Sequence, residues 1–409
     1  MATGTGLARG AATAGANLFA LRSHNTALVL DLLRGAGVEG ISRLELAERT
    51  GLTPQAVSKI TARLREEGLV AEAGRRASTG GKPRTVLRLV PEAGHAMGVH
   101  VDRDEVRAVL VDLNGTVVGE RRAPLDLGAG AEAVVEGVAR EVERLAADAL
   151  GHAGAASGPA CGASSVASST AASGGASAGA ESLVGVGVAL PGPLDHVRGV
   201  LHRVTGFPEW DGFPLRDALA RRLGLPVVVD KDTNAAALGL AVAVVGEGEG
   251  EGQGGSFAYL HLGTGLGAGL VIGGSVHRGA RTGAGEFGHQ VIQLDGPRCG
   301  CGDRGCVEAL CLAAVGRGDI EEAARVLGAG AANLVGLLDI DLVLLGGRTV
   351  AAAPEAFVNG VSAVLAARAR REGVPSGAVP VRLAPGGERG VAEGSAQLLL
   401  APMFGRGDG

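Results

Sequence analysis

Glu286, His289, Cys299, Cys301, Cys306 and Glu308 lie in one short stretch, GEFGHQVIQLDGPRCGCGDRGCVEA, residues 285–309. It holds three of the chain's five cysteines. Thiols clustered with an imidazole suit two kinds of chemistry, metal ligation and thiol reactivity, set against the plainer reading of buried reduced cysteines. A disulfide framework does not fit the rest of the chain. No apolar run approaches the roughly 20 residues that span a bilayer. The opening MATGTGLARGAATAGANLFA lacks the charged-then-apolar order of a signal peptide, so a reducing cytoplasmic setting is expected.

The elements that must position these groups start behind a separate basic segment. Between Ile41 and Val90 stand ten Lys or Arg against five Glu, in a chain of 409 residues whose net charge is −5. Ser42 with Glu45 three residues on is a capping-box start for a short helix through Arg49. Gly51 ends it. Thr53 and Pro54 then open a second helix, in which Val57, Ile60 and Leu64 share one face at helical spacing. Its outer face carries Gln55, Ser58, Lys59 and Arg63, groups able to meet base edges and phosphates in a major groove. An amphipathic helix precedes this pair, with Leu28, Leu32 and Leu33 among its expected core positions. Two short strands follow, around a turn with Arg75, Arg76, Lys82 and Arg84. That order predicts a winged helix-turn-helix over residues 18–90, with residues 1–17 as a disordered tail. An ordinary three-helix bundle with a solvated charged face is the bland alternative.

From Pro91 onward strands alternate with helices. The stretch HAMGVHVDRDEVRAVLVDLNGTVVGERRAPLD predicts three strands, LNGT marking a hairpin turn. The stretches LVGVGVALPGPLD, LPVVVDKDTNAAALGLAVA, SFAYLHLGTGLGAGLVIGG and IDLVLLGGRTV are apolar strands that each run into Gly or Asp clusters. Glycine-rich turns at strand ends place backbone N–H groups beside a ligand cleft of an α/β fold. Residues 151–182, almost wholly Ala, Gly and Ser, and residues 246–255, GEGEGEGQGG, cannot bury enough surface to order themselves and are expected as flexible insertions. Cys161 within the first of these is expected to be an incidental thiol, and Cys311 a helix core residue.

Residues 91–409 resemble the ROK family of sugar kinases and sugar-responsive repressors, and the winged helix in front points to the repressor branch. The resemblance rests on E-x-G-H at Glu286–His289, nine residues, then C-x-C-G-x-x-G-C-x-E ending at Glu308. It implies an α/β fold with the two lobes of actin and hexokinase (ribonuclease H-like). It also implies a structural Cys₃His zinc site on His289, Cys299, Cys301 and Cys306, closed to water and so without a catalytic position. Glu286, His289 and Glu308 would line a sugar pocket, where carboxylates accept hydroxyl hydrogen bonds.

The family's N-D-A-N-A motif is matched by KDTNAAA, which keeps Asp232 and Asn234 and has Lys231 in place of an asparagine. Asp232 stands at the family's catalytic base position, read here as vestigial. Lys231 suggests either a ligand with an acidic or phosphorylated group or a pocket that has drifted. The first phosphate loop departs most from the family: Asp102, Arg103, Asp104 and Glu105 replace the glycines, so three carboxylates would repel ATP. Gly263, Thr264, Gly265 and Gly267 of the second loop, and Gly346 and Gly347 beyond it, remain and are read as glycines held by fold geometry. ATP and Mg²⁺ are therefore not expected as cofactors; zinc is. The chain between Glu308 and Asp341 is shorter than the resemblance implies.

These readings predict a transcriptional regulator, a repressor, that binds operator DNA and responds to a sugar or sugar phosphate. A homodimer or homotetramer is expected, with no membrane partner. Thr53, Gln55, Ser58, Lys59, Arg63, Arg75, Arg76, Lys82 and Arg84 would meet DNA, and Lys231, Asp232, Asn234, Glu286, His289 and Glu308 the ligand. Two rivals stand beside this: an active ATP-dependent sugar kinase, and a ligand-independent regulator controlled by a protein partner.

Overall fold

The computed structural model describes residues 24–76, 84–151, 182–204, 206–246, 255–373 and 377–406. The expected tail, the body of both insertions and Lys82 lie outside the described residues. The chain opens with α1 (His24–Gly35), β1 (Ile41–Ser42), α2 (Arg43–Thr50), α3 (Pro54–Glu66), β2 (Val70–Arg76) and β3 (Arg84–Leu89). The capping box forms as expected: the Ser42 hydroxyl accepts from Glu45 N at 3.3 Å and Glu45 Oε2 accepts from Ser42 N at 2.8 Å. Gly51 closes α2 in the left-handed region at φ 69°. The Thr53 hydroxyl then accepts from Ala56 N at 3.2 Å to start α3. β2 and β3 pair antiparallel into the wing, with β1 on the far side of β3. The buried face of α1 is Val29, Leu30 and Leu33; Leu28 and Leu32 are only half-buried, one step around the helix from where the sequence put the core.

The rest forms two lobes of the same design. The first holds β4 (His95–Val101), β5 (Glu105–Asp112), β6 (Val117–Pro124), α4 (Ala131–Gly151), β7 (Leu183–Leu190), the β8–β9 hairpin (Leu194–Asp195, Val200–Leu201), α5 (Leu215–Leu223), β10 (Val227–Lys231) and α6 (Asp232–Gly246). The second holds β11 (Phe257–Leu262), β12 (Leu266–Ile272), β13 (Ser275–Val276), α7 (Val307–Gly316), α8 (Ile320–Leu338), β14 (Leu342–Gly346), α9 (Arg348–Ala352), α10 (Pro354–Glu372), β15 (Val381–Leu383) and α11 (Gly390–Met403). Their sheets run β6-β5-β4-β7-β10 and β13-β12-β11-β14-β15. In each, three antiparallel strands are followed by two parallel ones. A doubled sheet of this order defines the two-lobed ribonuclease H-like fold expected from the sequence.

The lobes meet where α6 crosses α11. Gly239 and Gly394 allow that crossing: a Cβ at Gly239 would stand 2.9 Å from the Gly394 Cα, a distance real Cβ atoms do not tolerate. One hydrophobic core fills each lobe, a third joins the winged helix to the first lobe's sheet and the face of α11 packed on it, and a fourth surrounds α6 where it packs on the second lobe's sheet. The third joins Val29, Leu30, Leu46, Val57, Leu64 and Leu87 to Val109, Val111, Leu399 and Phe404. Burial of apolar surface, at about 25 cal/mol per Å², stabilises this shared core and so couples the winged helix to the lobes.

Candidate functional site

Strand ends bring the sequence's candidates together in a cleft between the lobes. β10 ends at Lys231 and α6 begins at Asp232; the turn between β11 and β12 supplies Thr264 and Gly265; the segment after β13 supplies Glu286 and His289; α7 supplies Glu308 from its first turn. Together with Asp102, Arg103 and His261 they line a cavity of about 80 Å³. That is narrow beside the roughly 300–1,000 Å³ of ordinary small-molecule pockets.

Each carboxylate has a different setting. Asp232 accepts from the N–H of Thr233 at 2.6 Å. Glu308 Oε2 accepts from Leu266 N at 2.8 Å, and its Oε1 lies 3.8 Å from Cys299 Sγ, so this residue ties the second glycine loop to the cysteine cluster. Glu286 Oε1 accepts from Lys231 Nζ at 2.9 Å, and the same ammonium donates to Ala284 O at 2.6 Å. Lys231 is 2% exposed. Its charge is therefore satisfied within the protein, which favours the drifted pocket, of the two readings of Lys231, over a cation presented to an anionic ligand.

Asn234 is also placed away from the cleft. It is fully buried and donates from Nδ2 to Asp230 Oδ1 at 2.9 Å. Asp230 further accepts from Lys231 N at 2.7 Å and from Arg278 Nε at 2.7 Å. This buried network holds the β10–α6 junction, and hence Asp232, in position. The sequence reading missed Asp230 and Arg278, since nothing local marks two residues 48 positions apart as partners.

Two distances in the cysteine cluster match the edges of a tetrahedral zinc site. Bonds of about 2.3 Å to sulfur and about 2.0 Å to nitrogen set tetrahedral edges of roughly 3.5–3.8 Å. Cys301 Sγ and Cys306 Sγ stand 3.7 Å apart, and Cys299 Sγ is 3.6 Å from His289 Nδ1. All four ligand atoms lie within 4.8 Å of one another. Backbone bonds shape the loop before any metal enters: Cys299 N donates to Asp303 O at 2.8 Å, and Val307 N to Gln290 O at 2.9 Å. Desolvation pushes the Cys306 thiol up to about 12, so a bound ion would displace its proton. Cys311 is buried in the second lobe's core, as expected.

The first phosphate loop is a hairpin crossed by an arginine. Arg348, at the start of α9, donates from Nη2 to Asp102 Oδ2 at 3.1 Å and to Asp104 Oδ1 at 2.8 Å. The Thr264 hydroxyl donates to Asp102 Oδ1 at 3.0 Å. The side-chain bond from Arg348 holds the Asp104 carboxyl below its usual range. Two carboxylates of the β4–β5 turn and the guanidinium that follows Gly347 thus bridge the lobes. Arg348 directly follows Gly347 in the sequence and was missed as part of the site. Gly346 and Gly347 have reasons of their own to be glycine: a Cβ on the first would stand 2.6 Å from the Tyr259 hydroxyl, and the second has φ +94°.

In the winged helix, Gln55, Ser58, Lys59 and Arg63 line the exposed side of α3, and Thr53 caps it. Arg63 donates from Nη2 to the Thr26 hydroxyl at 2.9 Å and so also tethers α3 to α1. Arg75 and Arg76 lie on β2 opposite Thr85 and Arg84 of β3, and Arg84 is exposed.

A winged helix-turn-helix ahead of a duplicated ribonuclease H-like domain with a Cys₃His cluster at its cleft is the class of protein that fold and site define. The comparisons give the family. The ROK family profile matches residues 174–318, and a winged helix-turn-helix DNA-binding profile matches residues 39–71. The chain carries a ROK-family domain with an N-terminal winged helix-turn-helix.

It is similar to the xylose repressor of Bacillus spizizenii, 25% identical over 66% of this chain and 61% of that one. It is also similar to the DNA-binding transcriptional dual regulator NagC of Escherichia coli K12, 29% identical over 72% of this chain and 64% of that one. The matching region thus spans about three fifths of such relatives' length. A ROK family transcriptional regulator described as a homologue of the E. coli MLC protein superposes with a TM-score of 0.68 over 93% of this chain and 96% of its own, at 20% identity, which bears on the fold. Among the described residues no helix is long and apolar enough to cross a membrane.

Proposed function

We propose that this protein is a sugar-responsive transcriptional repressor that binds operator DNA through α3 and the wing. In this reading a small sugar binds where Asp232, Glu286, His289 and Glu308 converge, and His289, Cys299, Cys301 and Cys306 hold a structural zinc ion. Zinc there supplies no reaction; it fixes the loop that carries His289 and leads into Glu308. The relatives named as a xylose repressor and as the regulator NagC support the class, and the convergence of acceptor groups on one interlobe cleft is the observation that carries it.

The cleft suits hydroxyl recognition. Glu308 accepts from Leu266 N, so this carboxylate is already oriented, and Glu286 is oriented by Lys231. Carboxylates fixed by other bonds need not reorganise when sugar hydroxyls arrive. Because the cavity measures only about 80 Å³, admitting a sugar requires the lobes to part, and the Arg348 bridge is the contact that resists it. Ligand binding then favours one lobe separation over another, and the core shared with the winged helix transmits the difference to paired DNA-binding heads of a homodimer or homotetramer.

A kinase reading is disfavoured by the same bridge. Asp102 and Asp104 stand where phosphate oxygens would need backbone donors, and like charge there opposes ATP. Asp232 in this setting binds a hydroxyl and has no phosphoryl group to serve.

The test is calorimetric titration of the zinc-replete protein with D-xylose, D-glucose and N-acetyl-D-glucosamine, with operator affinity followed at fixed salt. Binding of one of these, lost in Asp232→Asn and accompanied by a change in operator affinity, is the expected result. Operator affinity that ignores every sugar would favour control by a protein partner, and ATP turnover lost in Asp232→Asn would restore the kinase.

A further inference from the structure

A second cavity, of about 510 Å³, lies where the winged helix meets the lobes. Its walls are α1, the turn between β5 and β6, α6 and α11, and its chemistry is set by Asp31, Arg34, Asn114, Glu393, Gln397 and Arg406. Two buried polar atoms here have no hydrogen-bond partner: Gln397 Oε1 and Arg34 Nη1. Gln397 is only 7% exposed. A buried donor or acceptor left unmatched is destabilising, so two in one cavity point to a group that completes them.

The other polar groups are engaged. Arg34 Nη2 donates to Asn114 O at 2.7 Å, and its guanidinium stacks 4.7 Å over the Phe404 ring. Arg406 forks onto both oxygens of Asp31 at 2.8 and 3.2 Å. Glu393 pairs with Arg389 at 3.2 Å. What remains is a cationic N–H edge that wants an oxygen and an amide oxygen that wants a donor. Desolvation, then the nearby Arg406, lowers the Arg34 pKa, a setting that an anion relieves. Burial pushes the Glu393 carboxyl up, against the pull of Arg389.

We propose that this cavity is a second ligand site, for a small hydroxylated carboxylic acid whose carboxylate meets Arg34 and whose hydroxyl donates to Gln397 Oε1. The ligand would join α1 of the DNA-binding unit to α11, the helix that crosses α6 behind Asp232. Binding is independent of the sugar reading; only an effect on operator affinity rests on it.

The test is calorimetric titration of the full-length protein with D-gluconate, D-glucuronate and citrate, run on four forms. Asp232→Asn disables the interlobe cleft. Gln397→Met removes the amide, and Ala243→Phe fills the second cavity from its exposed rim. At least one acid should bind the unaltered protein and Asp232→Asn alike and lose about tenfold or more affinity in each of the other two variants. Gln397→Met should also melt no lower without ligand, because it removes an unmatched buried polar atom. If that variant fails to fold, Ala243→Phe decides alone. No binding by any of the three acids, binding lost only in Asp232→Asn, or binding untouched by both cavity variants would overturn the proposal.

Discussion

Lys231 Nζ lies 2.9 Å from Glu286 Oε1 with its own side chain 3% exposed, so a buried ammonium fixes a carboxylate of the interlobe cleft. Removing one member of such a pair leaves the other unmatched, while removing both does less harm. Glu286→Gln should therefore lower stability by about 2 kcal/mol, Lys231→Met by about 1 kcal/mol because Glu286 keeps solvent access, and the double variant by less than their sum. Urea denaturation of the four forms measures this coupling. Additive losses would show that the pair does not act as a unit.

The Arg348 bridge should tune lobe opening more than stability. Its partner Asp104 is 59% exposed, so Arg348→Ala should cost less than about 1 kcal/mol. The same change should strengthen sugar binding several-fold, by easing the opening that a narrow cleft requires. Titration calorimetry reads the affinity, and a weaker Kd would mean that the bridge belongs to the bound state.

Acid should dissolve the same bridge. The Asp104 carboxyl is held below its ordinary value by Arg348, so its contribution is present above the unfolded value of about 3.9 and is lost as pH falls through the lower folded value. The small Tm difference between the unaltered protein and Arg348→Ala should hold steady from pH 7 to 5, begin to shrink near about pH 4 and disappear once the pH lies below the lowered folded value. A difference that persists at about pH 2 would place the effect elsewhere.

Zinc should be structural. Cys301→Ala should lower bound zinc from about one per chain to near zero by elemental analysis and reduce the Tm. Sugar affinity should fall with it, since Glu308 lies in the first turn of α7, two residues beyond Cys306. Retained zinc and unchanged sugar binding would contradict a ligand set that includes Cys301.

On α3, two exposed cations should behave differently. Lys59→Ala should weaken operator binding across sequences and reduce the slope of log affinity against log salt by about 1, as a phosphate contact does. Arg63→Ala should additionally lower the Tm, because it cuts the bond to Thr26. Equal salt slopes for Lys59→Ala and the unaltered protein would take Lys59 off the DNA.

What the sequence by itself determined is what neighbours in the chain decide. The Ser42–Glu45 capping box, the Thr53–Pro54 start of α3 and the C-x-C-G-x-x-G-C spacing are local, because their hydrogen bonds and ligand distances close within a few residues. The order of apolar strands likewise carried both lobes. Only the tertiary structure decided the rest. For Lys231 the sequence left open a cation offered to a ligand or a drifted pocket, until Glu286, 55 positions away, was seen to take its charge. Asn234 is bonded inward to Asp230, which Arg278 holds in turn, and Arg348 became a bridge between the lobes through partners 244 and 246 positions distant. The cavity between α1 and α11 joins the two ends of the chain, with Asp31 and Arg406 375 positions apart. Which distant charges meet, and which buried atoms are left unmatched, depends on how elements pack, and no local pattern of residues encodes that.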